Sequence, residues 1–277
     1  MKIAVLSGKG GAGKTMVAVN LAAAAKRAVY IDCDVEEPNG RLFWKPAEVR
    51  RTQVGVAVPE FDPALCTGCR RCVDFCRFNA LVYIRETPRV FPEVCHSCGG
   101  CALVCPNGAV REKSRPIGVL EQGRSGDVTV ITGELSPGEA SGVPLIREAL
   151  RADTGSSLTV IDCPPGSACP VMESAEAADY CILVAEPTAF GLHNVKMVHE
   201  LAVILGKPCG VIINKQEKAY EPLELFCREN GLEILARIGY DAEFARLIAR
   251  GEILYHADRR AAALFDGVLK RAGGGRE

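Results

Sequence analysis

Residues 8 to 15 read Gly-Lys-Gly-Gly-Ala-Gly-Lys-Thr, between a β-branched run, Lys2 to Leu6, and an alanine-rich stretch, Thr15 to Lys26. That juxtaposition restricts the fold more than any other feature of the chain. A strand must end, a loop must turn its backbone N–H groups inward, and a helix must begin with its positive end at the same point. The pattern G-x-x-x-x-G-K-[ST] in a strand, loop and helix context is a phosphate cradle. Gly8, Gly10, Gly11, Ala12 and Gly13 would supply the backbone. Lys14 would contact the β- and γ-phosphates, and the Thr15 hydroxyl would hold magnesium.

The remaining apolar runs agree with this start. Ala28 to Ile31, Val128 to Ile131, Leu158 to Ile161, Cys181 to Ala185 and Val211 to Ile213 alternate with helical stretches at Pro144 to Arg151, Leu192 to Leu205 and Glu221 to Glu229. Strands spaced by helices pair in parallel through crossovers, so the expected fold class is α/β, a doubly wound and mostly parallel sheet. Ala261 to Lys270 is expected to form a turn or two of helix packed on that sheet, and the Gly-rich tail beyond Gly273 to fray. With 33 basic and 34 acidic residues the net charge is −1, so no global field favours nucleic acid or anionic lipid. No apolar run reaches the ~18–20 residues needed to cross a bilayer. The N-terminus breaks into glycines after six residues and lacks a secretory core, which makes cytoplasmic the expected location.

Fourteen cysteines stand out, eight of them between Cys66 and Cys105. In a reducing compartment such clustering points to metal rather than to disulfides. From about Pro59 to Pro116 the strand and helix rhythm stops, with dense Cys, Arg and Pro and no long apolar strand. This stretch (59–116) reads as a module inserted into a domain made of 1–58 and 117–277. Its halves, CTGCRRCVDFC and CHSCGGCALVC, repeat C-x2-C-x2-C-x3-C at an offset of 29 residues. The run resembles that of two-cluster bacterial ferredoxins, whose fourth cysteine ligates the other cluster. The resemblance implies an α+β module with Cys66, Cys69, Cys72 and Cys105 on one 4Fe-4S cluster and Cys95, Cys98, Cys101 and Cys76 on a second. Arg77 stands where a proline usually follows Cys76. Structural zinc is the competing reading, since paired C-x2-C also binds zinc, but it gives the third cysteine of each run no task.

The second lysine of the glycine loop, Lys9, narrows the comparison. Lys-Gly-Gly-Ala-Gly-Lys-Thr resembles the deviant Walker A loop of the MinD, ParA and nitrogenase iron protein class of P-loop ATPases. The resemblance spans about 220 residues, everything but the insert. It implies ATP and ADP as ligands with Mg2+, and a homodimer with ATP sandwiched, Lys9 reaching the partner's phosphate. Asp32 to Asn39 looks like the family's switch I, with Asp34 orienting water or supporting magnesium. Asp162-Cys163-Pro164-Pro165-Gly166 looks like its Walker B and switch II segment, with Asp162 on the magnesium shell. Asn214 matches the adenine-contacting Asn, and Tyr240 and Asp241 are matched to the other side of the base. Taken from the residues alone, an Asp such as Asp32 or Asp34 can equally be a cap or turn former. Cys169 lies seven residues after Asp162, the offset at which the nitrogenase iron protein ligates a bridging cluster, but the companion cysteine expected near Ser141 is absent. Cys181, Cys209 and Cys227, in apolar runs, are expected in the core.

Together these features imply an ATPase whose nucleotide-switched dimer controls electron transfer from two clusters to a redox partner. An iron-sulfur assembly or carrier ATPase acting on a client protein is the alternative. A MinD- or ParA-like spatial organiser is the third, and it alone predicts binding to membrane or DNA.

Overall fold

The apolar runs become strands because both of their faces are covered. In the computed structural model, which describes residues 1–153, 155 and 158–273, β1 (Lys2–Leu6) leads through the glycine loop into α1 (Lys14–Ala24), β2 (Ala28–Asp32) and the short α2 (Gly40–Trp44). β3 (Ala47–Phe61) carries the chain out to the cysteine-rich stretch. That stretch holds α3 (Arg71–Phe75), a hairpin of β4 (Leu81–Ile84) and β5 (Thr87–Val90), and α4 (Gly100–Leu103). β6 (Val110–Ser125) returns to β7 (Val128–Leu135) and α5 (Val143–Arg151). Then follow β8 (Leu158–Asp162), α6 (Cys169–Glu176), β9 (Tyr180–Ala185), α7 (Ala189–Ile204), β10 (Cys209–Gln216) and α8 (Glu221–Glu229). β11 (Glu233–Gly239), α9 (Ala242–Ala249), α10 (Leu254–Ala257) and α11 (Arg259–Gly273) end the described chain. The tail beyond Gly273, expected to fray, lies outside the described residues.

Among the described residues nine strands form one sheet in the order β11-β10-β9-β1-β8-β2-β7-β6-β3. Every pairing from β11 to β7 is parallel, and β6 and β3 add an antiparallel edge. The fold is the expected α/β sheet with helices on both faces. The period of two decides which face each side chain serves. Ile3 and Val5 of β1 join Tyr30 and Val160 in a core under α1 and α9 to α11, whereas Ala4 and Leu6 join Ile31 and Ile161 under α5 to α8. Each fully buried Ile or Leu contributes about 1.5–3 kcal/mol. Cys33, Cys163, Cys181 and Cys227 belong to the second core as small apolar residues, and Cys209 packs at its margin. α11 extends over 15 residues, longer than the turn or two expected, and buries Ala261, Phe265, Val268 and Ala272 against α1 and β11. No helix among the described residues is long and apolar enough to cross a membrane.

The antiparallel edge is not among the elements expected from the sequence, where residues 59 to 116 hold no long apolar strand. β3 and β6 are 15 and 16 residues long and pair from Ala47 opposite Arg124 to Phe61 opposite Val110. β6 contacts β7 only from Gly118 to Ser125, so beyond that point β3 and β6 leave the sheet as a two-stranded ribbon. The departure is marked by a register shift at Val54 and Gly55, the latter facing Pro116. Proline is tolerated where a ladder is interrupted. Residues 58 and 117 thus lie inside β3 and β6. The cysteine-rich loops hang on the ribbon's far end, closed at their base by the Asp62 N–H donating to the Ala109 carbonyl at 2.8 Å.

Candidate functional site

The glycine loop bends where only glycine is comfortable: Gly11 and Gly13 have φ of 79° and 97°. A Cβ at Gly13 would stand 2.1 Å from Asn214 Nδ2, and one at Gly8 would stand 2.5 Å from the Asn194 carbonyl oxygen. The loop is held from behind by the end of β10. Asn214 Nδ2 donates to the Ala12 carbonyl at 2.8 Å, and Lys215 Nζ to the Gly11 carbonyl at 2.7 Å. Since the C=O and the following N–H of a peptide point in opposite directions, fixing these carbonyls turns the N–H groups of Ala12 and Gly13 toward the open side. That side is a cavity of about 830 Å³ lined by Lys9, Lys14, Thr15, Asp34, Gly142 and Pro164, among others.

Below the cavity lies a buried charge cluster. Lys14 Nζ donates to Asp162 Oδ1 at 2.9 Å and stands 3.8 Å from Asp34 Oδ2. Burial alone would lower the Lys14 pKa, but Asp162 and then Asp34 and Asp32 lift it above its ordinary value. The Tyr30 hydroxyl, fully buried, donates to Asp162 Oδ2 at 2.9 Å. Asp32, on the next strand, does not face the cavity. Its two oxygens accept the Asp34 N–H at 3.1 Å and the Gly40 N–H at 2.8 Å, so it shapes the turn that projects Asp34. Burial, reinforced by Asp162, pushes Asp32 up to about 8. Burial likewise pushes Asp34 up to about 6, against the pull of Lys14.

Other expected residues lie at the rim. Lys9 Nζ is paired with Glu186 Oε2 at 2.5 Å and lies 5.2 Å above the Phe190 ring. Glu186 also takes Lys215 at 2.8 Å; burial disfavours its charge, but these two lysines hold its carboxyl below the usual range. Asn214 is buried against the loop, and Tyr240 is exposed. Asp241 caps α9, accepting the N–H groups of Glu243 at 2.8 Å and Phe244 at 3.2 Å. Cys169 is exposed at the start of α6, while Ser141 Oγ accepts the Val143 N–H. Tyr30 and Glu186 carry no motif, so sequence reasoning passed over them: one is an apolar-strand residue and the other a rim acid.

The ribbon's far end presents the eight clustered cysteines around two small cavities. One is lined by Cys66, Cys69, Cys72 and Cys105, the other by Cys76, Cys95, Cys98 and Cys101. Each draws three thiols from one run and the fourth from the other run. Burial raises the Cys72 pKa, with the Cys66 and Cys105 sulfurs adding to the effect and the Val73 and Cys72 N–H groups opposing it. Burial pushes Cys101 up to about 11, with Cys95 and Cys98 beside it and the Ala102 N–H opposing. Cys105 Sγ accepts the Ala109 N–H at 3.3 Å. Among the described residues no three His, Cys, Asp or Glu side chains converge on a point where one metal ion could sit; the thiols ring a void instead.

A family model described as the CobQ/CobB/MinD/ParA nucleotide binding domain matches residues 3–254. An uncharacterized protein of Methanocaldococcus jannaschii is 33% identical over 201 residues, 70% of this chain and 70% of that protein. The septum site-determining protein MinD of Pyrococcus horikoshii, solved with Mg-ADP, superimposes with a TM-score of 0.60 at 18% identity, covering 98% of this chain and 94% of that one. A shorter match, 34% over 69 residues, is to the indolepyruvate oxidoreductase subunit IorA of the same organism; it covers 24% of this chain and 11% of that subunit.

Proposed function

The chain belongs to the CobQ/CobB/MinD/ParA nucleotide-binding family, and from that premise we propose that it is an ATPase whose nucleotide-bridged homodimer governs electron transfer from two 4Fe-4S clusters to a partner protein. The observation that carries this reading is the crossed set of cysteines: each cavity takes its fourth thiol from the other run, on a ribbon continuous with the nucleotide-binding sheet. Thiols that surround a void and accept backbone N–H groups suit a multi-iron cluster better than a single zinc. Bound there, the clusters would supply one-electron chemistry. The short match to an oxidoreductase subunit is in keeping with a redox role.

The chain's own residues divide the nucleotide work. The loop N–H groups and the start of α1 bind phosphate oxygens. Thr15, with Asp34 and Asp162, would hold Mg2+, the ion found with ADP in the MinD structure. Lys14, now paired with Asp162, would turn to the γ-phosphate and leave Asp162 free for the metal's water shell. Asp34, at the cavity wall, would orient the attacking water, and Lys9 would reach the partner's phosphate. Hydrolysis removes the anion that orders Asp34 and its neighbours, so the segment relaxes.

Anaerobically purified protein should contain about eight irons and matching acid-labile sulfide per chain, and its potentials should change when Mg-ATP replaces Mg-ADP. Zinc in place of iron, or potentials indifferent to nucleotide, would overturn the reading.

A further inference from the structure

We propose that the Ser97 hydroxyl donates a hydrogen bond into the cavity ringed by Cys76, Cys95, Cys98 and Cys101, and so raises the reduction potential of the cluster held there. The inference rests on the function proposed above, because the acceptor is a sulfur of that cluster.

Ser97 lies between Cys95 and Cys98 in the second cysteine run and lines the cavity that those thiols surround. Its Oγ is buried and has no hydrogen-bond partner among the described residues, the four thiols included. A buried hydroxyl without a partner is destabilising, and such groups in native folds call for an explanation. The walls offer none. Phe75, Phe78 and Leu81 are apolar, and Glu112, the one carboxylate on the cavity, takes no hydrogen bond from Ser97. The His96 ring is stacked on Phe78 with centroids 3.9 Å apart. The acceptor that remains is whatever the thiols hold.

The duplication supplies an internal comparison. The position 29 residues earlier is Gly68, and both positions have left-handed backbone, with φ of 71° at Gly68 and 52° at Ser97. That conformation favours glycine. The first run has it, and a Cβ there would collide with the Tyr83 hydroxyl. The second run keeps a serine against the preference of the backbone, at a point where its hydroxyl is buried. On the other cavity the only hydroxyl is that of Thr67, which already accepts from Asn107 Nδ2 at 3.0 Å. The two cavities thus differ in one free buried O–H donor. A donor stabilises negative charge on sulfur, and a reduced cluster carries one more negative charge than an oxidised one, so the bond is stronger after reduction. Apolar walls strengthen it further.

The experiment titrates both clusters by EPR in the anaerobic holoprotein, with dithionite as reductant, in wild type, Ser97→Ala and Ser97→Gly. Ser97→Ala removes the hydroxyl and keeps the strained backbone; Ser97→Gly removes both. Each variant should lower one of the two potentials by the same amount, up to about tenfold in the reduction equilibrium or about 59 mV for one electron, and leave the other potential in place. Resonance Raman gives a second signature: the shift of the Fe–S stretching bands on transfer to D2O should be smaller in both variants than in wild type. Should one variant fail to load iron, the other decides. Unchanged potentials overturn the inference, and a shift in only one of two fully loaded variants assigns the effect to the backbone and overturns it too. Loss of iron from both makes Ser97 a structural residue of its loop, with the same result. All three leave the proposed function standing, whereas wild-type protein without iron overturns both.

Discussion

Asp32 and Asp34 illustrate how two residues of one type, two positions apart, are assigned opposite work by their surroundings. Asp34 reaches the cavity wall, whereas Asp32 has both oxygens bound to backbone N–H groups and is fully buried beside Asp162. Its pKa, about 8 against an ordinary 3.8, makes it a source of pH-dependent stability in the nucleotide-free protein. Below about pH 4 folded and unfolded chains both carry the proton. Between about 4 and about 8 the folded chain keeps a proton that the unfolded chain has released, so this group makes stability fall as pH rises; above about 8 its contribution is flat. The thermal midpoint measured across this window should therefore decline less in Asp32→Asn than in wild type. Equal slopes would mean that the Asp32 carboxyl is ionised in the fold. Residue type alone does not distinguish the two acids; the family resemblance singles out Asp34, and the role of Asp32 arises from the Gly40 and Asp34 amides that its oxygens accept. Tyr30 is similarly hidden: its hydroxyl matters through Asp162, which neighbours it only once β2 and β8 pair.

Elements buried on two faces were legible in the sequence, and elements solvated on two faces were not. β1, β2, β8 and β9 are each a continuous apolar run, and the glycine loop betrays itself by spelling. β3 exposes most of its length, with Val54, Val58 and Pro59 as its buried residues, so the ribbon carries neither the alternation nor the apolar run by which strands are found. α9 presents the reverse problem, because the residue that caps it can be read in two ways. Resemblance matches Asp241 to a nucleotide-base contact, but its carboxylate is occupied by two N–H groups of α9 and by Arg260 at 3.0 Å. A capping role predicts that Asp241→Ala lowers the thermal midpoint by a few degrees and leaves ATP affinity unchanged. Calorimetry of the variant with and without ATP separates the readings. Lost affinity at unchanged apo stability would make Asp241 a nucleotide ligand instead.

For the whole molecule, the position of Lys9 bears on assembly. Family resemblance sends its ammonium across a dimer, yet here the side chain is held within its own protomer by Glu186 and the Phe190 ring. Leaving that site costs an ion pair whose side chains are 29% and 14% exposed. Discounted for solvent screening, this is about 1 kcal/mol, a factor of about five in an equilibrium constant. A symmetric dimer breaks two such pairs, so Glu186→Gln should strengthen Mg-ATP-dependent dimerisation by up to about thirtyfold, about fivefold per protomer, and Lys9→Ala should abolish it. Sedimentation across a concentration series, with ATP affinity measured in parallel, tests both. The parallel measurement matters because Glu186 also anchors Lys215, which holds the Gly11 carbonyl at the back of the loop. A Glu186→Gln protein that binds ATP normally and dimerises no more tightly would show that the intramolecular pair does not compete with assembly. Weaker ATP binding instead would place the contribution of Glu186 in the loop rather than in the dimer.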